Sequence, residues 1–174
     1  MRFESFSFSP EILRAISDCG YQQMTPIQQQ AIPAIRRGQD VLASAQTGTG
    51  KTAAFALPIL QKMVENPSET LKSNARVLIL TPTRELAAQV ADNVTAYCKY
   101  LNFSVLTIYG GVKIETQAQK LKRGADVIVA TPGRLLEHLT ACNLSLSNVD
   151  FLVLDEADRM LDMGFSADIQ KILQ

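Results

Sequence analysis

Residues 43–55 read ASAQTGTGKTAAF, a stretch with two glycines, three threonines and one lysine among mostly small side chains. It lies between an apolar run, DVLASA at 40–45, and a helical pattern, KTAAFALPILQKM at 51–63. A backbone with so few large side chains can turn successive N–H groups inward, where they hold phosphate oxygens at the start of a helix. The stretch therefore predicts a P-loop of the form A-x-x-x-x-G-K-T, with Ala45 in place of the usual first glycine.

The predicted phosphate site consists of eight consecutive residues: Ala45, Gln46, Thr47, Gly48, Thr49, Gly50, Lys51 and Thr52. We expect Lys51 to reach the β- and γ-phosphates, and the Thr52 hydroxyl to ligate Mg²⁺. ATP and Mg²⁺ are therefore the predicted cofactors. The alternative is a flexible glycine turn, which the strand pattern before the stretch and the helix pattern after it disfavour.

A P-loop needs a carboxylate for its metal ion, and FLVLDEAD at 151–158 offers one. Asp155 ends an apolar run and is predicted as a second metal ligand, while Glu156 is placed to orient or deprotonate a water. The predicted catalytic residues are therefore Lys51, Asp155 and Glu156, and the predicted reaction is hydrolysis. The alternative is an ordinary acidic helix start, since carboxylates complement the dipole there.

Five short apolar runs predict the fold: residues 40–45, 76–82, 104–111, 126–132 and 149–158. They are nearly continuous rather than alternating, as in strands that are buried on both faces of a parallel sheet. Helical patterns lie between them, which indicates an α/β fold with a doubly wound, mostly parallel sheet flanked by helices. Ligands bind at the carboxyl ends of the strands in such sheets, and the polar segments follow the runs at those ends.

Residues 1–38 are predicted to form an N-terminal helical extension, and residues 39–174 the nucleotide-binding domain. Two helices are expected in the extension, with start signals at Ser9-Pro10 and Thr25-Pro26 and stop signals at Gly20 and Gly38. Pro33 is expected to bend or break the second helix. Residues 65–74, ENPSETLKSN, are expected to form an exposed, mobile loop.

The composition narrows the class of protein. Hydrophobic residues make up 47% and charged residues 20% of the chain, which is typical of a globular domain. Lys+Arg 17 balances Asp+Glu 17, so contact with nucleic acid requires local placement of groups. Three distant cysteines, Cys19, Cys98 and Cys142, indicate reduced thiols. We see no signal peptide and no membrane span, and we expect a cytoplasmic monomer.

Six segments occur in the order typical of one family: GYQQMTPIQ (20–28), AQTGTGKT (45–52), PTRELAAQ (82–89), GG (110–111), TPGR (131–134) and DEAD (155–158). The sequence resembles the DEAD-box RNA helicases and, among them, the bacterial RhlE group. The resemblance implies the first RecA-like domain of an ATP-dependent RNA helicase. Two alternatives stay open: a nucleotide-gated RNA clamp that does not unwind processively, and another P-loop NTPase, which PTRELAAQ and TPGR oppose.

The resemblance also implies roles for individual residues. Gln28 would bond the adenine edge and Tyr21 would stack on its ring, with Phe3 as a prop behind the pocket. The alternative for Gln28 is a capping box with Thr25. The implied contacts to RNA sugar and phosphate are Arg84, Gly110, Gly111, Thr131, Gly133 and Arg134, and Asp158 would couple motifs between domains. None of these groups reads base edges, so we expect RNA binding that is indifferent to sequence.

Local alternatives exist for several of these residues. The glycines are also compatible with helix C-caps and Thr131 with an N-cap, while the cluster Lys113, Lys120, Lys122 and Arg123 is expected to be a solvated face. We expect His138 on the surface, Cys98 in the core, and Met160 and Met163 in packing. The family's next motif and its second RecA-like domain, which carries an arginine finger, do not occur in the 174 residues. We therefore expect an incomplete domain whose missing partner belongs to the same protein.

Overall fold

The computed structural model of the chain describes residues 1–68 and 75–174, so the loop predicted at 65–74 lies mostly outside the described residues. The chain divides into two compact units. The first unit comprises residues 1–69 and 93–102, and the second comprises residues 70–92 and 103–174.

The first unit is helical. After a 3-10 turn at Phe3–Phe6 it contains α1 (Pro10–Asp18), α2 (Pro26–Arg36) and α3 (Lys51–Glu65). Ser9 caps α1 by accepting a hydrogen bond from the Ile12 amide, and Gly20 ends it in the left-handed region at φ +74°. The start and stop signals of both N-terminal helices are confirmed.

Of the bend or break predicted at Pro33, the break is wrong, and the bend stays a prediction. Helix α2 continues through Pro33 to Arg36. A proline removes one intrahelical N–H and disturbs the turn before it, but here only three helical residues follow. The helix also packs against α3, with Ala31 and Ile32 buried, so tertiary contact offsets the lost hydrogen bond.

The strand predicted at 40–45 is absent from the structure. Residues 40–45 adopt no regular structure, and both Val41 and Leu42 are exposed. A strand is stabilised by hydrogen bonds to a neighbouring strand, so an apolar run of six residues cannot form one alone. The predicted boundary between 38 and 39 also differs from the contact units, because α2 packs on α3. The division into functional domains stays a prediction.

The second unit contains a four-stranded parallel sheet. Its strands are β1 (Val77–Leu80), β2 (Val105–Ile108), β3 (Val127–Ala130) and β4 (Phe151–Leu154), in the order β2-β3-β1-β4. All three pairings are parallel, and both central strands are buried along their whole length. The α/β fold with a parallel sheet is confirmed, and it uses four of the five apolar runs.

Five further helices follow these strands: α4 (Arg84–Tyr97), α5 (Ile114–Lys122), α6 (Pro132–Thr140), α7 (Ala157–Asp162) and α8 (Ser166–Ile172). Helix α4 begins in the second unit and ends in the first. The core of the second unit includes Leu80, Ile108, Ile128, Leu135 and Met160, all at most 1% exposed. Because the strands are parallel, the segments after β1, β2, β3 and β4 all leave the sheet at one edge.

The structure settles most of the side-chain expectations. His138 is completely buried, so its predicted surface position is wrong, and the reason is a set of polar partners described below. Met160 is buried as expected, but Met163 is exposed. Cys98 is buried, and the four basic residues at 113, 120, 122 and 123 are exposed, as predicted. Among the described residues, no helix has the length and apolar character needed to cross a bilayer.

Candidate functional site

The P-loop of the first unit is a turn that leads directly into a helix. Gly48 and Gly50 have φ values of +82° and +84°, which residues with a Cβ atom rarely adopt. The Thr49 hydroxyl donates to the Gln46 carbonyl at 2.6 Å and tightens the turn. Helix α3 begins at Lys51, so the amides of its first turn have no acceptor within the helix. This is the arrangement that suits a phosphate group.

Gln28 connects the segment GYQQMTPIQ (20–28) to the P-loop by a hydrogen bond within the first unit. Its Nε2 donates to the Gly50 carbonyl at 3.1 Å, and its Oε1 accepts from the Thr25 amide at 3.0 Å. The second bond belongs to a capping box, so the capping interpretation of Gln28 is confirmed. A Cβ on Gly50 would lie 2.4 Å from Gln28 Nε2, and Gly50 has φ +84°, so a larger residue there would be strained and would displace the Gln28 amide.

The capping role leaves part of the Gln28 amide unused. A side-chain amide has two N–H donors and an oxygen that accepts two hydrogen bonds. Gln28 uses one donor on Gly50 and one acceptor position on Thr25. Within the described ranges 1–68 and 75–174, one donor and one acceptor position of Gln28 stay open, although the side chain is only 3% exposed. Capping and ligand recognition are therefore compatible on this side chain.

Tyr21 lies beside a cavity of about 410 Å³ in the first unit. Its ring stacks on Phe3, with centroids 6.4 Å apart, and its hydroxyl is 3.1 Å from the Tyr97 hydroxyl. Burial and this hydrogen bond raise the pKa of Tyr97. Tyr21 is 38% exposed while Phe3 is buried, so one aromatic is accessible and the other supports it. Gln28 does not line this cavity.

In the second unit, the segments after β1 and β2 meet at Arg84 and Gly111. A Cβ on Gly111 would lie 2.7 Å from Arg84 Nη1, and Gly111 has φ +84°, so the guanidinium rests on a bare backbone. Among the described residues, the exposed amides of Gly110 and Gly111 donate to no protein acceptor. The turn follows a strand rather than a helix, so the C-cap alternative for these glycines is wrong.

The segment after β3 starts helix α6. Thr131 occupies the N-cap position, but its side chain makes no capping hydrogen bond. A Cβ on Gly133 would meet nothing within 4 Å, so nothing in the described protein requires glycine there. Arg134 is different, because its side chain is only 15% exposed and its Nη1 donates to the Val112 carbonyl at 2.6 Å.

The segment after β4 contains Asp155, Glu156 and Asp158. The Asp155 amide donates to the Leu80 carbonyl at 2.9 Å, which fixes the end of β4 against β1. Glu156 has φ +53° and occupies the N-cap position of the short helix α7 without a capping hydrogen bond from its side chain, and its carboxylate lies 3.3 Å from Arg159 Nη1. A left-handed backbone is uncommon for glutamate and is characteristic of constrained functional turns. Asp158 is exposed in the first turn of α7.

Comparison with models of protein families identifies the family to which this chain belongs. The DEAD/DEAH box helicase model matches residues 25–174. The chain belongs to the DEAD/DEAH box helicase family. Its sheet and helices accordingly form a RecA-like α/β domain.

Curated DEAD-box relatives match almost the whole chain. It is 51% identical to "ATP-dependent RNA helicase DeaD" of Mycobacterium tuberculosis (strain CDC 1551 / Oshkosh), covering 98% of this chain and 30% of the relative. It is 46% identical to "ATP-dependent RNA helicase SrmB" of Haemophilus influenzae (strain ATCC 51907 / DSM 11121 / KW20 / Rd), covering 98% and 39%. "ATP-dependent RNA helicase DeaD" of Escherichia coli (strain K12) is 46% identical, covering 98% and 27%. The chain thus spans about a third of its relatives' length.

Two buried polar residues lie beside the DEAD-box motifs: Gln117, which the sequence-based predictions did not single out, and His138, whose predicted surface position is wrong. Gln117 of α5 is 3% exposed and His138 of α6 is completely buried. A signal did exist, because Gln117 lies between Ile114 and Leu121 at helical spacing. A polar side chain at a core position of a helix indicates hydrogen-bonding partners inside the protein.

Proposed function

We propose that this chain binds ATP with Mg²⁺ and the sugar–phosphate backbone of RNA, as part of a helicase that couples ATP hydrolysis to duplex unwinding. The observation that carries the proposal is the P-loop turn, in which two left-handed glycines lead directly into α3. The names of the relatives, "ATP-dependent RNA helicase", support both ligands.

The phosphates are proposed to lie against the first turn of α3. Its first-turn amides, which have no acceptor within the helix, and the positive end of the helix dipole favour an anion, and Lys51 adds a positive charge. Bound Mg²⁺ supplies positive charge to the β- and γ-phosphates, and Thr52 and Asp155 are the residues proposed to hold it. The two residues belong to different units, so their joint ligation rests on family membership.

Adenine recognition is proposed for Gln28 and Tyr21. The open acceptor position of the Gln28 amide suits the 6-amino group of adenine, and its open N–H suits N7. Guanine presents a carbonyl oxygen at position 6, which would face the Gln28 oxygen without a hydrogen between them. The exposed Tyr21 ring, supported by Phe3, offers a surface on which the base can stack.

RNA binding is proposed for the edge of the sheet in the second unit. Arg84 and the amides of Gly110 and Gly111 suit one phosphate, while Thr131 and Gly133 suit another at the start of α6. Arg134 adjoins them, and its Nη2 group donates to no acceptor among the described residues. These six residues, Arg84, Gly110, Gly111, Thr131, Gly133 and Arg134, are called the RNA surface below.

Hydrolysis is proposed to depend on Glu156, which would orient the attacking water. In the longer protein, Glu156→Gln should abolish RNA-stimulated ATPase activity while ATP binding persists, because the amide keeps the shape but cannot act as a base. The measurement is phosphate release with and without RNA. Full activity of the Glu156→Gln variant would contradict the proposal.

Strand displacement by the longer protein distinguishes an unwinding enzyme from a nucleotide-gated RNA clamp, since a clamp would hold a duplex without separating it. The coupling role of Asp158, the RhlE-like subgroup, the cytoplasmic location and the monomeric state stay predictions.

A further inference from the structure

A buried polar cluster lies behind the Gly110–Gly111 turn in the second unit. It consists of Gln117 on α5, Arg134 and His138 on α6, and Asn143 after α6. Gln117 and His138 are at most 3% exposed, so neither is available to an RNA strand on the surface. Any effect of these two side chains on RNA binding is therefore indirect and passes through neighbouring groups.

The Gln117 amide is the centre of this cluster. Its Nε2 donates to the Tyr109 carbonyl at 2.8 Å, immediately before the glycine pair. Its Oε1 accepts from Arg134 Nη1 at 3.1 Å and lies 3.0 Å from His138 Nε2. One side chain therefore connects the end of β2 to helix α6.

Only one orientation of this amide satisfies its neighbours. The reverse orientation would set an NH₂ group against the Arg134 guanidinium and an oxygen against the Tyr109 carbonyl, and neither pair can form a hydrogen bond. Because Gln117 Oε1 can only accept, His138 must carry its proton on Nε2. His138 Nδ1 then accepts from Asn143 Nδ2 at 3.2 Å, which describes a neutral histidine.

The cluster holds the glycine turn on both sides. Gln117 bonds the Tyr109 carbonyl before the pair, and Arg134 bonds the Val112 carbonyl after it at 2.6 Å. Gln117 also holds the Arg134 guanidinium that makes the second bond, together with the Glu137 carboxylate, which lies 3.0 Å from Arg134 Nε. The amides of the two glycines make no bond of their own in the described part of the chain, so the turn is restrained through its carbonyls and open at its amides.

We propose that Gln117 is a positioning residue for RNA binding: its buried amide fixes the Gly110–Gly111 turn and Arg134 in the geometry that receives a phosphate of the RNA backbone. Gln117 itself does not touch RNA. The inference rests on the proposed function, and it adds a residue that lies outside the six motif segments. Holding the donors in place before binding lowers the entropy lost on binding, which is how a buried group raises affinity without contact.

The test compares Gln117→Leu with Gln119→Leu in the 174-residue chain. Both variants make the same chemical change on α5, but Gln117 is buried and Gln119 is exposed. The probe is a fluorescent oligouridylate of about ten nucleotides at low salt, and a separate ADP titration reports on the nucleotide site. We expect Gln117→Leu to weaken RNA binding about tenfold, the order expected for a lost buried hydrogen bond, and to leave ADP affinity unchanged. Gln119→Leu should change neither.

A double variant separates positioning from general destabilisation. If Gln117 acts through the glycine turn, adding Gln117→Leu to Gly111→Ala should weaken RNA binding by less than about twofold further, since the turn is already displaced. Independent, fully additive effects would overturn the proposal. So would equal RNA affinities of Gln117→Leu and the unmodified chain. An unmodified chain that binds no RNA would instead refute the proposed function, and this inference with it.

The unmodified chain provides a test that does not depend on a variant's stability. His138 is the only histidine, so its ¹⁵N imidazole resonances are unambiguous. We expect the neutral tautomer with the proton on Nε2 at neutral pH. A proton on Nδ1 would overturn the orientation assigned to Gln117, and with it the proposal.

Discussion

Gln28 combines two roles on one side chain. It closes the capping box of α2 through the Thr25 amide, and it reaches the P-loop through the Gly50 carbonyl. The first role stabilises the fold and the second bears on nucleotide recognition, so two independent measurements separate them. Gln30 offers a matched control, because it has the same side chain on the same helix and is exposed.

Gln28→Ala should lower the free energy of unfolding by about 1 kcal/mol, the usual value of a lost cap. The same variant should lose most of the preference for ADP over GDP, because the groups that distinguish adenine from guanine are gone. Chemical denaturation and calorimetry with both nucleotides measure the two effects. Gln30→Ala should show neither effect, and an unchanged nucleotide preference in Gln28→Ala would contradict the adenine role.

His138 should make stability depend on pH. Burial and the nearby Arg134 guanidinium lower the pKa of His138 below its ordinary value of 6.5, although Glu137 opposes this shift. The unfolded chain therefore takes up the proton at a higher pH than the folded chain does. The contribution of neutral His138 to the free energy of unfolding is fully present above about pH 6.5, and it is lost as the pH falls through the pKa of His138 in the folded chain.

The measurement is the free energy of unfolding from pH 8 downward for the unmodified chain and for His138→Gln. Subtracting the two curves cancels the pH dependence that comes from the carboxylates, because both proteins share them. We expect the unmodified chain to lose stability relative to His138→Gln as the medium becomes acidic. Parallel curves would show that His138 is not held neutral.

At the scale of the elements, the start of α6 is a proposed phosphate site whose glycine the fold does not require. A Cβ on Gly133 meets nothing within 4 Å, and alanine is favoured over glycine inside a helix. Gly133→Ala should therefore leave the melting temperature unchanged or slightly raised. It should still weaken RNA binding several-fold, because the added methyl group keeps a phosphate from the first-turn amides.

Fluorescence anisotropy with labelled RNA and thermal unfolding measure these two effects of Gly133→Ala. RNA affinity equal to that of the unmodified chain, with an unchanged melting temperature, would remove α6 from the RNA surface.

Elements were predictable where local signals and burial agree. The caps at Ser9 and Thr25 mark real helix starts, and the apolar runs of β1 and β3 are strands buried throughout. The run at 40–45 failed because strand formation depends on a partner, which the run itself does not encode. The prediction of a break at Pro33 is wrong for a related reason: the packing of α2 on α3 outweighs the local tendency of proline to end a helix.

At the scale of the whole molecule, the candidate site was predictable where one short, contiguous segment contains both the residues and the backbone turn that its proposed role needs. The P-loop glycines, the turn at Gly110–Gly111 and the strand end at Asp155 are such segments. The contacts of Gln117 and the burial of His138 were not predicted, because both depend on contacts between α5, α6 and the end of β2. Contacts between distant segments leave no local pattern beyond a polar residue at a core position.

The number of cationic groups on the RNA surface sets the salt dependence of RNA binding. This surface has two arginines, Arg84 and Arg134, beside backbone amides. Few counterions are therefore released on binding, and the slope of log affinity against log salt should be only about −1 to −2. Anisotropy titrations at several salt concentrations give this slope, and a value steeper than about −4 would indicate a larger basic surface.

The central claim is that the turn before α3 holds the phosphates of an adenine nucleotide. The most direct measurement is calorimetric titration of the 174-residue chain and its Lys51→Ala variant with ADP and GDP in the presence of Mg²⁺. The account predicts that ADP binds at least about tenfold more tightly than GDP, a difference of about 1.4 kcal/mol. It also predicts that Lys51→Ala loses most ADP affinity without a change in melting temperature, since the proposed role of Lys51 is to contact phosphate. Equal affinities for ADP and GDP, or ADP binding that survives Lys51→Ala unchanged, would contradict it.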